Sequence, residues 1–254
     1  MAGSRRVRLA AMADVHYRKT QPLSLQEVYA AAVDQADILL LCGDLTDYGL
    51  SDEARIVVKE LAPVRIPVVA VLGNHDYQSG QEAELRSILV DGGIRLLDGE
   101  ACEIQGVGFA GTKGFAGGFG RRTLEPWGER AIKSFVQEAL DETLKLESAL
   151  ARLRTSQRIA LLHYAPIQAT VEGEPPEIFA FLGSSRLEDP INRYGVAAVF
   201  HGHAHHGSPE GKTQSGIPVF NVSISLLKSA YPDRPPFRIF ELEVGETVAP
   251  PRPN

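Results

Sequence analysis

Cysteine is scarce: the chain has two in 254 residues, Cys42 and Cys102. They form neither a CxxC pair nor a zinc-ligand spacing, and they do not suggest a disulfide framework. A reducing cytoplasm is the expected compartment. Positive charge is also in deficit, with 26 Lys and Arg against 32 Asp and Glu and a net charge of −6. Without a basic stripe to displace counterions, sequence-independent binding to nucleic acid is not expected. Small or metal-neutralised substrates suit the acidic balance better than polyanions. Long apolar runs are missing too. None approaches the roughly 18 residues of a membrane span, and no apolar h-region of a signal peptide follows Arg5-Arg6 at the N-terminus. The expectation is a soluble intracellular protein with no membrane partner.

What the chain does have is 44% hydrophobic residues, ample for a core, distributed in short runs. Residues 7–12, 38–42 and 67–72 are apolar and read as buried strands. Helical stretches alternate with them. Ser24 and Glu27 have capping-box spacing for a helix to about Asp34, and Ser51 is placed to cap a helix to about Leu61. Residues 81–90 read as a third helix. This alternation predicts parallel strands with right-handed crossovers, whose functional groups gather beyond the strands' carboxyl ends.

Past Gly92-Gly93 the texture becomes more α+β. Short strands are predicted over 94–97, 102–106, 107–111, 158–162, 196–200, 217–222 and 237–244. Residues 112–120 are rich in Gly and Phe and precede Arg121-Arg122. They read either as a mobile lid, with Phe115, Phe119, Arg121 and Arg122 touching substrate, or as an ordinary surface loop. Residues 129–153 predict a long amphipathic helix with Ile132, Phe135, Val136, Ala139, Leu140, Thr143, Leu144, Leu150 and Leu153 on one stripe. The stripe suits packing on the domain body; a homodimer contact is the alternative. With no repeat and no linker, one domain over 1–254 is expected, and about 112–154 is a candidate lid or insert. The Pro-rich residues 249–254 are expected to fray.

The histidines decide the functional reading. All seven, His16, His75, His163, His201, His203, His205 and His206, fall at or just after predicted strand ends, and none falls in a predicted helix. Asp14, Asp44 and Asn74 stand beside them. Imidazole with carboxylate and amide oxygen suits Mn, Fe, Zn or Co. One metal needs four to six such groups and the supply is about twice that, which fits two ions sharing a bridging carboxylate.

Asp14-x-His16, Gly43-Asp44-x-x-Asp47, Gly73-Asn74-His75-Asp76, His163 and Gly202-His203-x-His205 occur here in order. In this the chain resembles the calcineurin-like metallophosphoesterases, and in particular their compact bacterial members, which include the class III cyclic-nucleotide phosphodiesterases. The resemblance spans residues 14 to 205. It implies an α/β (α+β) fold of two mixed sheets packed face to face with helices outside. It also implies two divalent or trivalent ions: Asp14, His16 and His205 on the first, Asn74, His163 and His203 on the second, and Asp44 bridging. His75 is then a catalytic group at the leaving oxygen rather than a ligand, and Asp47 the acid that orients it. A metal-bound hydroxide is the implied nucleophile. His201, ahead of Gly202, joins the substrate-binding candidates, its side chain free to point at the site or into the sheet.

Tyr48 and Tyr77 stand where protein phosphatases of this family carry arginine. Those arginines clamp a monoester dianion through bidentate contacts. Their replacement favours a small, nucleotide-type phosphodiester. A phosphomonoesterase or pyrophosphatase acting on nucleotides or sugar nucleotides is the alternative, and a non-catalytic scaffold the remote one.

Overall fold

The computed structural model describes residues 4–20 and 24–245; the Pro-rich tail lies outside them. Two sheets carry the molecule. The first runs β11-β1-β2-β3-β4, built from β1 (Ser4–Met12), β2 (Ile38–Cys42), β3 (Val68–Val71), β4 (Arg95–Leu96) and β11 (Arg238–Gly245). Its strands are parallel except β11, which pairs antiparallel with β1. The second runs β5-β6-β7-β8-β10-β9, from β5 (Glu100–Ile104), β6 (Val107–Gly111), β7 (Gln157–Leu161), β8 (Ala198–His201), β9 (Glu210–Lys212) and β10 (Pro218–Asn221). Its four central strands are parallel, with antiparallel edges at β5 and β9.

Every residue of β2 and β3 is buried. Strands covered on both faces read as continuous apolar runs rather than alternating ones, which is why they were legible. On the inner faces, Leu9, Leu40, Val69 and Val71 of the first sheet meet Phe109, Ile159, Leu161 and Phe200 of the second. The outer face of the first sheet, through Met12, Leu39, Leu41 and Ala70, packs under α1 (Gln26–Gln35), α2 (Ser51–Leu61) and α3 (Glu82–Asp91). The outer face of the second, through Ala110, Ala160 and Val199, packs under α4 (Arg130–Arg152) and α6 (Glu188–Tyr194). The result is the four-layer sandwich that the resemblance implied.

Local expectations differ from the structure at several points. α1 starts at Gln26 with Leu25 at its N-cap, and the Ser24 hydroxyl donates to the Glu60 carboxylate (3.3 Å) instead of capping. Ser51 is the first residue of α2 rather than its cap. The Glu53 carboxylate takes the free amides of Tyr48 (2.9 Å) and Leu50 (3.3 Å). On α4, Val136, Ala139, Leu146, Ala149 and Leu150 are buried, while Ile132 and Leu144 of the expected stripe face outward.

Residues 112–119 are neither a mobile lid nor an ordinary surface loop: all but the half-buried Phe115 are buried. The carboxylate of Glu142, itself buried on α4, accepts from the Thr112 hydroxyl and the Gly114 amide and so pins the segment inside. α5 (Phe179–Leu182), α6, β9 and α7 (Ile224–Ala230) were not foreseen. Elements of three to seven residues carry too few periods to register as a pattern.

Candidate metal centre

Five strand ends converge where the two sheets' parallel strands finish. β1 delivers Asp14 and His16, β2 Asp44 and Asp47, β3 Asn74 and His75, β7 His163, and β8 His203 and His205. The backbone is bent to achieve this. Asp14 (φ 59°), His16 (φ 45°), Asp44 (φ 50°) and His203 (φ 70°) occupy the left-handed region, with Gln105 the one other non-glycine to do so among the described residues. Each such residue costs on the order of 1–3 kcal/mol. Against a total stability of roughly 5–15 kcal/mol, four of them at one place point to a function that needs them there.

Two glycines make the convergence sterically feasible. A Cβ on Gly43 would lie 2.4 Å from His163 Nδ1, and one on Gly73 would lie 2.1 Å from Asp44 Oδ1.

Three groups bring ligand atoms within 4.8 Å of one another: Asp14, His16 and His205; His16, Asp44 and His75; and Asp44, His163 and His203. Asn74 Oδ1 joins the third, 2.9 Å from His163 Nε2. Asp44 reaches both sides, with Oδ1 3.3 Å from His163 Nε2 and Oδ2 3.7 Å from His16 Nε2. All seven expected ligands therefore lie at one site, where His75 also groups with His16 and Asp44.

The donor set suits cations. His163 Nδ1 donates to the Cys42 carbonyl (3.0 Å), which orients the ring and aims Nε2 inward. Neither ring nitrogen of half-buried His16 has an aligned hydrogen bond, although Nδ1 lies 3.2 Å from Asp47 Oδ1. Burial lowers the pKa of His16 and keeps it neutral, the form that ligates. Burial likewise takes His203 down to about 4. Burial also pushes the Asp14 carboxyl upward, but the hydrogen bond from His205 and the charges of His163 and His205 outweigh it, so the group stays ionised. His163 is driven the other way: burial opposes its charging, yet Asp44 and Asp14 raise it to about 9. Two buried carboxylates competing for one imidazole proton are the electrostatic setting of a cation site.

His75 is held differently. Its amide donates to Asp44 Oδ1 (2.9 Å) and its Nδ1 donates to the backbone carbonyl of Asp47 (2.7 Å), leaving Nε2 to face the site. The expected partner was the Asp47 carboxylate. That carboxylate instead lies against His16 Nδ1 and binds Arg18, with Nε at 2.9 Å and Nη2 at 3.3 Å. The strand-end turn presents the Asp47 carbonyl, not its side chain, to His75.

The substrate-binding candidates scatter. His201 is fully buried, with Nδ1 donating to the Gly202 carbonyl and Nε2 accepting from Thr170 Oγ1, both at 2.8 Å. Phe119 packs with Ala165, Val171, Leu182 and Ala204. Both face the interior and are corrected from substrate contacts to core residues. Phe115 packs in tilted contact with Phe135 and Tyr164 (ring centres 5.0 and 5.8 Å away), and Arg121 and Arg122 are exposed on a short turn.

Sequence reasoning missed two residues. Asp76 is buried and accepts from the Gly73, Leu45 and Thr46 amides and from the Thr46 hydroxyl, tying the ends of β2 and β3 together. Burial and the neighbouring Asp44 raise it to about 6 despite those bonds. Its place directly after His75 was the available signal. The second is Lys113, a single lysine in a Gly-rich run that carried no signal.

A family profile described as calcineurin-like phosphoesterase matches residues 7–207, most of the chain. The chain belongs to that family. It is accordingly a metal-dependent phosphoester hydrolase by descent, with its candidate ligands assembled in one place. Among solved structures it is similar to phosphopantetheinyl hydrolase (PptH) from Mycobacterium tuberculosis, with a TM-score of 0.66 at 15% identity over 91% of this chain and 95% of that one. It is also similar to TT1561 of Thermus thermophilus, with a TM-score of 0.53 at 17% identity over 88% and 92%. At those identities the likeness is one of fold. No curated protein matches the chain by sequence. No helix among the described residues is long and apolar enough to cross a membrane.

Proposed function

We propose that this phosphoesterase hydrolyses phosphodiester bonds in small, nucleotide-type molecules, with His75 acting at the leaving oxygen. The observation that carries the reading is the division of labour at Asn74 and His75. Asn74 Oδ1 turns to His163, while His75 is restrained at its amide and Nδ1 and keeps Nε2 free. Bound metal ions would supply a Lewis acid for the phosphoryl oxygens and an activated water. Asp14, His16 and His205 would hold one ion, Asn74, His163 and His203 the other, with Asp44 between them.

The chain's own residues do the rest. As water adds to phosphorus and the ester P–O bond breaks, a proton on His75 Nε2 passes to the departing alkoxide, and the proton that the attacking water gives up returns to the histidine. The Asp47 carbonyl keeps Nδ1–H occupied, so that Nε2 is the nitrogen that delivers. Tyr48 and Tyr77, in place of arginines, leave the charge demand of a diester monoanion unexceeded.

A substrate panel tests this. At fixed Mn, Fe or Zn, bis-p-nitrophenyl phosphate, cyclic nucleotides and a phosphopantetheinyl ester are compared with p-nitrophenyl phosphate. Higher kcat/KM on the diesters is the expected result. Preference for the monoester would replace the reading with a phosphomonoesterase.

A further inference from the structure

At the end of β6, where Thr112 leaves the sheet, Lys113 turns its side chain inward with only 8% of it exposed. Nζ donates to the Gly114 carbonyl at 2.9 Å. The nearest paired carboxylate is Glu138, whose Oε1 is 3.8 Å away, beyond hydrogen-bond range. Glu142 is close but occupied, with one oxygen serving Thr112 and Gly114 and the other Lys145. Three aromatic rings enclose the ammonium: Phe115 at 4.7 Å, Tyr164 at 5.4 Å and Tyr77 at 5.5 Å from centroid to Nζ.

An ammonium has three donors, and here one has a good acceptor. Burial strips most of its hydration, which the aromatic faces and the charges of Glu142, Glu138 and Asp98 offset only in part. Among the described residues, two of its three N–H donors have no hydrogen-bond acceptor, yet the group is held in place. It also adjoins the metal centre. The Lys113 carbonyl accepts from the amides of both His163 and Tyr164 (each 3.0 Å), and the Tyr164 ring lies 4.4 Å from that of His203. Tyr77, on the other wall, closes the short turn that begins at His75.

We propose that Lys113 binds a second anionic group of the substrate, a phosphate or carboxylate carried next to the scissile phosphoryl group. The aromatic walls exclude water, which strengthens that pairing, and they bind the organic portion between the two charges. The inference rests on the phosphodiesterase reading for its choice of substrates. It narrows them to diesters with a neighbouring anion.

The test uses the metal-loaded protein, with Lys113→Met and Lys113→Gln as the removing variants and Lys113→Arg as the conservative one. Two substrates are compared: a dinucleotide bearing a terminal phosphate beside its phosphodiester, which has a second anionic group, and bis-p-nitrophenyl phosphate, which does not. Loss of kcat/KM in Lys113→Met should be at least tenfold greater on the former and appear in KM, and Lys113→Arg should recover part of it. Inhibition by pyrophosphate and by phosphonoacetate, set against inorganic phosphate, distinguishes a second phosphate from a carboxylate. The variant should weaken whichever is preferred about tenfold relative to phosphate.

Equal losses on both substrates, or losses that follow melting temperature or metal content, would overturn the proposal in favour of a structural lysine. If the unmodified protein turns over neither substrate, the phosphodiesterase reading falls. Calorimetric binding of pyrophosphate to the metal-loaded protein then decides Lys113 alone, and an unchanged Kd in Lys113→Met overturns it.

Discussion

Asp47 addresses two histidines with two different atoms. Its carboxylate faces His16 and Arg18, and its carbonyl holds His75. Side-chain substitutions therefore separate the two roles. His75→Ala should lower kcat by about a hundred- to ten-thousand-fold, the range for a lost general acid, with metal content unchanged. Asp47→Ala should instead weaken metal binding about ten- to a hundredfold through His16 and spare the backbone contact to His75. Metal analysis beside steady-state kinetics checks both. Asp47→Ala losing kcat at full metal occupancy would show that its carboxylate serves His75 after all. Which histidine an acid serves was not legible in the sequence, because spacing fixes neither the turn's φ and ψ nor which atom it presents.

The strand-end turns make up the next scale. Left-handed residues at the ends of β1, β2 and β8 turn the chain sharply, and at the end of β3 Gly73 lets the backbone pass close to Asp44, which brings neighbouring ends within ligand distance. Gly73 is the tightest of these, because the Asp44 side chain fills the space that a Cβ would need. Gly73→Ala should displace Asp44, destabilise the fold by about 1–3 kcal/mol as overpacking does, and reduce bound metal. Thermal melting and metal stoichiometry measure the two effects. A variant with native metal content would mean that Asp44 relaxes without leaving its position. The helices were less legible than the strands. α2 and α4 were placed within about a residue. α5, α6 and α7 were missed because tertiary contacts, not local periodicity, sustain such short segments.

Across the whole molecule, the candidate ligands come from both sheets: Asp14, His16, Asp44 and Asn74 from the first, His163, His203 and His205 from the second. Cations bound there cross-link the two halves of the sandwich and draw the folding equilibrium toward the native state. At a metal concentration a hundredfold above Kd the gain is about 2.7 kcal/mol. For a chain of this size that corresponds to roughly 5–10 °C in Tm. Calorimetry of metal-loaded and chelator-treated protein should show that drop on stripping. An unchanged Tm after verified metal removal would mean that the ions are not held between the sheets.

The sequence by itself determined the parallel, doubly covered strands and where they stop. Apolar runs are written directly into a chain that buries both faces of a sheet, and polar groups at their ends can only be there for use. From that, the side chains of Asp14, His16, Asp44, Asn74, His163, His203 and His205 could be expected to meet. Only the tertiary structure decided which atoms meet. His201 and Phe119 turned inward because their sheet and loop had interior partners for them, and Asp47 served His16 because of the angle of its turn. Lys113 was drawn into the wall because Glu142, on the distant α4, anchors the backbone around it. Those outcomes depend on contacts between residues far apart in the chain, and no local pattern encodes a distance.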